Sequence, residues 1–149
     1  MEDIVRFADG RKSPYTDSKD PYYPCNTFPK EYEPVCVKNH IVFVQKQMGY
    51  SYGEMLKFCN TYTSQKTLNL CVNMVGNNIA RLENDPSRVI DECKKTEREH
   101  SACIDGGVVK FSMSAKFDDA EILCNSLVDS EDRRVCEGRI VGFKHQRGQ

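Results

Sequence analysis

Four apolar patches recur along the chain: IVFV at 41–44, a looser one at Val75 and Ile79, VVKF at 108–111 and IVGF at 140–143. After each of the first three comes a polar break and then a short amphipathic segment that ends on a cysteine: YGEMLKFC, SRVIDEC and DDAEILC. Apolar spacing of this kind, interrupted by turn formers and nowhere alternating with period two, predicts helices rather than strands. The longer helices, each carrying an apolar patch, are expected at about 30–47, 64–82, 97–113 and 130–145. The shorter ones, each ending at a cysteine, are expected at about 52–60, 86–94 and 118–126.

Local start signals fall where this pattern needs them. Ser51 and Glu54 form a capping box ahead of MLKFC, and Asp85 precedes Pro86 as an N-cap before a proline at the first helical position. Thr96 with Glu99 reads as a second capping box, and Asp118 with Glu121 as a similar pair. Pro34 fits only a helix that begins close to it. Residues 8–24 hold three of the six prolines and many turn formers, so residues 1–24 read as a partial helix followed by a linker, and 25–149 as the repeat domain. IVRF at 4–7 matches the apolar patches, so Met1 is expected to lie inside a helix whose own cysteine would be upstream, exposing Ile4, Val5 and Phe7 unless something covers them.

The cysteines sharpen the repeat. Cys25, Cys59, Cys93 and Cys124 recur at intervals of 34, 34 and 31 residues, and Cys36, Cys71, Cys103 and Cys136 at 35, 32 and 33. A period near 34 is that of stacked helix–turn–helix units, an α-solenoid of about four repeats in an all-α fold. Eight cysteines without a C-x-x-C suit a disulfide framework better than a metal or redox site. Short gaps of 9–11 residues alternate with long gaps of 20–22. Pairing across the short gaps (25–36, 59–71, 93–103, 124–136) joins two antiparallel helices at neighbouring turns; pairing across the long gaps strands Cys25 and Cys136.

Helical hairpins with a cysteine pair across the turn resemble the disulfide-rich Sel1-like repeat proteins, relatives of the tetratricopeptide repeats, over about 25–143. Gly106 and Gly138 are similar to small positions at which those families pack the two helices of a repeat closely. The resemblance implies a secreted or periplasmic superhelix that binds proteins or peptides.

Charge and chemistry narrow the function by exclusion. Lys and Arg number 21 against 22 Asp and Glu, a balance unlike the basic excess of a nucleic-acid surface. No apolar run approaches a membrane span. His40, His100 and His145 fall in different repeats, and the carboxylate pairs Asp118/Asp119 and Glu131/Asp132 sit at helix starts, where the dipole favours them. Neither set assembles a catalytic or metal constellation, so no enzyme activity and no cofactor is expected. Two candidate partner surfaces remain. One is the tyrosine-rich segment with Tyr15, Tyr22, Tyr23, Tyr32, Tyr50 and Tyr52, half of which serve equally well as a plug for the end of the solenoid and a cover for the linker. The other is the polar face of the longer helices, with Lys38, Asn73, Asn77, Asn78, Arg81, Asp105 and Arg139. The reading is an extracytoplasmic binding or assembly module, an auxiliary subunit or ectodomain segment of a larger complex; the alternatives are a structural spacer and a cysteine-based redox protein.

Overall fold

A computed structural model of the chain describes residues 17, 19–96 and 98–148. Among them are seven α-helices and no strand: α1 (Glu33–Met48), α2 (Tyr52–Cys59), α3 (Gln65–Glu83), α4 (Pro86–Cys93), α5 (His100–Met113), α6 (Phe117–Asn125) and α7 (Ser130–Gln146). Two 3-10 turns, Cys25–Thr27 and Lys30–Tyr32, lead into α1. The expected partial helix at the N-terminus, with Ile4, Val5 and Phe7, lies outside the described residues.

The helix starts are set by local chemistry. Ser51 and Glu54 close the capping box reciprocally, and the Asp85 side chain accepts from the Ser87 N–H just ahead of Pro86. Pro34 occupies the first turn of α1, where its missing N–H has no helical acceptor to lose. Two expected caps are corrected. Glu99 is itself the residue before α5, in the left-handed region at φ 60°, and Thr96 Oγ1 donates to the Arg98 carbonyl instead. Helix α6 starts at Phe117 behind Lys116 with no side-chain cap, which leaves Asp118 and Asp119 in its first turn as dipole-matched charges. The cap of α7 is Asp129, accepting from the N–H groups of Glu131 and Asp132.

The four disulfides are 25–36, 59–71, 93–103 and 124–136, with Cα separations of 5.5–5.7 Å. All eight half-cystines are buried and none is free. The contacts divide the chain into two units, residues 1–71 and 72–149. In the first, Val37, Ile41 and Val44 line one face of α1 at helical spacing and are buried, as are Met55 and Leu56 of α2 and Leu68 of α3. In the second, α6 packs most extensively on α5 and also touches α4 and α7, while α7 rests on α5 and α6. Its core includes Val72, Val75 and Ile79, then Ile104, Val108 and Phe111, then Leu123 and Ile140.

Glycine placement shows where helices meet backbone to backbone in this second unit. A Cβ on Gly76 would lie 1.9 Å from the Cys103 carbonyl oxygen, and one on Gly106 would lie 1.8 Å from that of Asn73. Gly106 therefore serves the contact of α5 with α3, two successive long helices, rather than the long-on-short contact the sequence suggested. Gly138, expected at a similar close approach, has open space around it.

Two outcomes follow for stability. Each disulfide closes a loop of 10–12 residues, worth about 3 kcal/mol in the chain-entropy model. Strong reductant is therefore expected to lower the melting temperature markedly, as read by far-UV circular dichroism; an unchanged melt would mean packing alone holds the helices. Gly106→Ala is expected to destabilise by roughly 1–3 kcal/mol or more through overpacking. Gly138→Ala is expected to stabilise by about 0.5–1 kcal/mol through the glycine entropy it removes. Equal responses in denaturant titrations would contradict the different roles of the two glycines.

Candidate interaction surface

In the first unit the tyrosines divide. Tyr22 is half-buried, its ring centroid 4.9 Å from that of Phe58 and 6.1 Å from that of Tyr62, and its hydroxyl lies 3.0 Å from Thr61 Oγ1. Tyr62, absent from the sequence-based set, is the buried centre of this cluster, and burial pushes its phenol far above the ordinary range. Tyr22 thus packs its ring on the core cluster while its hydroxyl stays at an exposed position. Tyr23, Tyr50 and Tyr52 are half-buried. Of the described tyrosine candidates only Tyr32 stands out, 55% exposed, and Val35, three residues on, is 47% exposed. Tyr15 lies outside the described residues. Lys38 is exposed on α1.

His40 is buried, and its Nε2 donates to the Pro21 carbonyl at 3.1 Å, which leaves Nδ1 as the unprotonated nitrogen and without a partner. Burial lowers its pKa; the Pro21 carbonyl and the nearby Asp20 act in the opposite sense. Close by in sequence, Glu33 is buried and accepts from Lys30 Nζ at 2.7 Å and Thr67 Oγ1 at 3.2 Å.

In the second unit most of the expected polar face is consumed between helices. Asn73 on α3 donates to Asp105 Oδ2 on α5 at 2.9 Å, and Arg139 on α7 reaches Asp105 Oδ1 at 2.5 Å. Asn77 donates to the Gly106 carbonyl at 3.4 Å. Asn78 is buried and accepts from the Arg81 guanidinium at 2.6 Å. One polar seam, Asn73–Asp105–Arg139, thus joins three long helices. Burial pushes the Asp105 carboxyl up, and the Arg139 charge and the Asn73 amide offset only part of that.

The open apolar surface lies elsewhere, in residues that helical periodicity alone cannot assign to an inner or outer face. Val128 is 97% exposed, Val135 51% and Val141 52%. A groove of about 230 Å³ between α6 and α7 is lined by Glu121, Asn125, Glu137, Ile140, Val141 and Lys144. Aligned on the second cysteine of each repeat, Glu137, Val141 and Lys144 occupy the positions of Ile104, Val108 and Phe111, which are fully buried in α5. In α5 the neighbouring Gly107 lies against Leu123 of α6 and Val89 of α4. The same helical face is thus apolar and covered in α5, but partly charged and open in α7, where Lys144 bonds to Glu121 at 2.9 Å.

Among the described residues no group of three or more His, Cys, Asp or Glu side chains is placed to hold a metal ion, and no helix is long and apolar enough to cross a membrane. No protein-family model, no curated protein and no solved structure matches the chain.

The two perturbed groups give opposite pH slopes. The depressed pKa of His40 means that the unfolded chain takes up its proton first as pH falls below about 6.5, so the stability it contributes is present above that value and lost on acidification. The raised pKa of Asp105 means that its contribution is fully present below the ordinary carboxylate value and is lost as pH rises through the folded one. His40→Gln is expected to flatten the acid limb of stability against pH below about 6.5. Asp105→Asn is expected to remove a slope confined to more acid pH. Chemical denaturation across pH decides both, and unchanged slopes would count against the assignments.

Proposed function

We propose that this chain is an extracytoplasmic protein-binding or assembly module, a solenoid of disulfide-stapled helical hairpins related in design to the Sel1-like and tetratricopeptide repeats. The observation that carries the reading is the contrast between its sulfur and its apolar surface. Every half-cystine is closed and buried, which leaves no thiolate for redox or nucleophilic work. Large apolar side chains on the helices nevertheless stay half-exposed, Tyr32 and Val35 in one unit and Met113, Val135 and Val141 in the other. Aromatic and aliphatic side chains held on rigid helices are the anchors of protein interfaces. Four short-range disulfides suit an oxidising compartment, and the near-neutral charge balance favours a protein partner over nucleic acid. In this reading the chain works as an auxiliary subunit or ectodomain segment, without catalysis of its own.

The test is affinity capture from the native envelope or secreted fraction with the oxidised chain as bait. A saturable partner is expected. Its retention should fall by about tenfold or more with Tyr32→Ser/Val35→Ser or with Val135→Asp/Val141→Asp, because loss of one central anchor costs at least about 1–2 kcal/mol. Capture unaffected by either double variant, or no saturable partner, would leave the chain as a spacer.

A further inference from the structure

In the first unit, residues 19–24 form a short strap whose attachment runs through one titratable ring. The strap's internal bonds are local: the Tyr22 N–H donates to Asp20 Oδ1 at 2.9 Å, the Tyr23 N–H to the Asp20 carbonyl at 3.2 Å, and the Asn26 side-chain amide to Asp20 Oδ2 at 2.8 Å. Two neighbouring residues anchor it to the helices. The Pro21 carbonyl accepts from Nε2 of His40 on α1 at 3.1 Å. The Tyr22 ring lies against Phe58 of α2 and Tyr62, both buried, and its hydroxyl is 3.0 Å from Thr61 Oγ1. The Cys25–Cys36 disulfide fixes the chain immediately after the strap.

His40 suits this anchor only while its ring is neutral. The ring is buried and stacks on Phe43, 6.3 Å between centroids. Because a carbonyl can only accept, Nε2 carries the proton, and Nδ1 is bare, sealed from solvent and without a partner. In the neutral ring this leaves one unused acceptor. Protonation turns Nδ1 into a charged donor with nothing to bond. The surrounding groups do not relieve that charge. Asp20 in the strap favours the protonated ring, but by less than burial opposes it, and both oxygens of its carboxylate are already engaged by Tyr22 and Asn26. Glu33, on the same helix as His40, is held by Lys30 and Thr67. Tyr22 and Tyr62 are phenols, which do not change charge between pH 7 and 5. Letting the strap go admits water to Nδ1. Opening therefore takes up a proton, and becomes up to about tenfold more favourable for each pH unit below about 6.5.

We propose that residues 19–24 are an acid-released strap: protonation of His40 at Nδ1 detaches the segment at Pro21 and, with the chain tethered at Cys25, lifts Tyr22 from Phe58 and Tyr62. The neutral form covers this aromatic face and the acid form presents it. This goes beyond the binding reading above and fails separately from it, because it concerns a covered face and is measured on the purified chain alone. The test is amide hydrogen exchange of the oxidised chain between pH 7 and 5, each rate divided by that of the unfolded chain at the same pH. A turn this short protects its amides little once its anchors are gone, so Tyr22 and Tyr23 report the opening. Their protection is expected to fall by about tenfold or more over this range, while amides within α2 keep theirs. His40→Gln, whose side-chain amide can still donate to Pro21 but does not titrate, is expected to hold the protection flat. Protection that stays constant to pH 5, a fall that persists in His40→Gln, or an equal loss throughout α2 overturns the proposal. Should the variant fail to close at pH 7, the His40 ring of the unaltered chain, titrated by NMR, decides: protonation accompanied by loss of strap protection upholds the proposal, and protonation without it overturns it.

Discussion

The covalent closure of each short turn is the constraint from which the rest of the structure follows. In three of the four disulfides a cysteine at or near the end of one helix is tied to one in the first turns of the next, at Cα separations of 5.5–5.7 Å, while Cys25 opens the 3-10 turn that leads toward α1 and is tied to Cys36 at 5.5 Å. The turn between them is then free to be polar and irregular, since it need not hold the hairpin by its own bonds. That freedom is visible around residue 99, where α5 begins after a left-handed residue with no side-chain cap. Helices as short as α2 and α4, eight residues each, are marginal alone. Their stability comes from buried faces, Met55 and Leu56 in one and Val89 in the other, together with the disulfide at their ends.

Closure at the turns leaves the register between successive long helices to be set by other means, and in the second unit two devices do so. Gly76 and Gly106 allow α3 and α5 to approach at backbone distance, where a methyl group would clash. The seam of Asn73, Asp105 and Arg139 then fixes one sliding position, because a shift of one residue would strand a partly buried carboxylate. The raised Asp105 pKa is the electrostatic trace of that arrangement: the carboxylate is incompletely compensated. Polar side chains that could have lined a binding groove are used instead to align the helices, and the exposed surface shifts to apolar positions on α7 and near Tyr32.

Much of the architecture was legible in the sequence, for identifiable reasons. The cysteine spacing, the Ser51–Glu54 box and the Asp85–Pro86 start are local signals, and local chemistry decides them. Thr96–Glu99 carried the same letters as a capping box, but the chain bends through a left-handed Glu99, a backbone choice its composition does not announce. The roles of Asn73, Asp105 and Arg139 were illegible because their partners lie 32 to 34 residues away, on the next long helix. Gly106 and Gly138 look alike in sequence, yet one is enclosed by backbone and the other faces open space. Tyr22 belongs to a tyrosine-rich segment whose composition suits an interface or a plug equally, and its ring packs on Phe58 and Tyr62, a residue that periodicity did not single out.

The helical hairpins depend on the pairing of the half-cystines across the short gaps. Digestion of the unreduced chain between cysteines, followed by mass spectrometry, measures that pairing directly. The account predicts linked peptides 25–36, 59–71, 93–103 and 124–136 and no free thiol. Links 36–59, 71–93 or 103–124, or free thiols throughout, would contradict it.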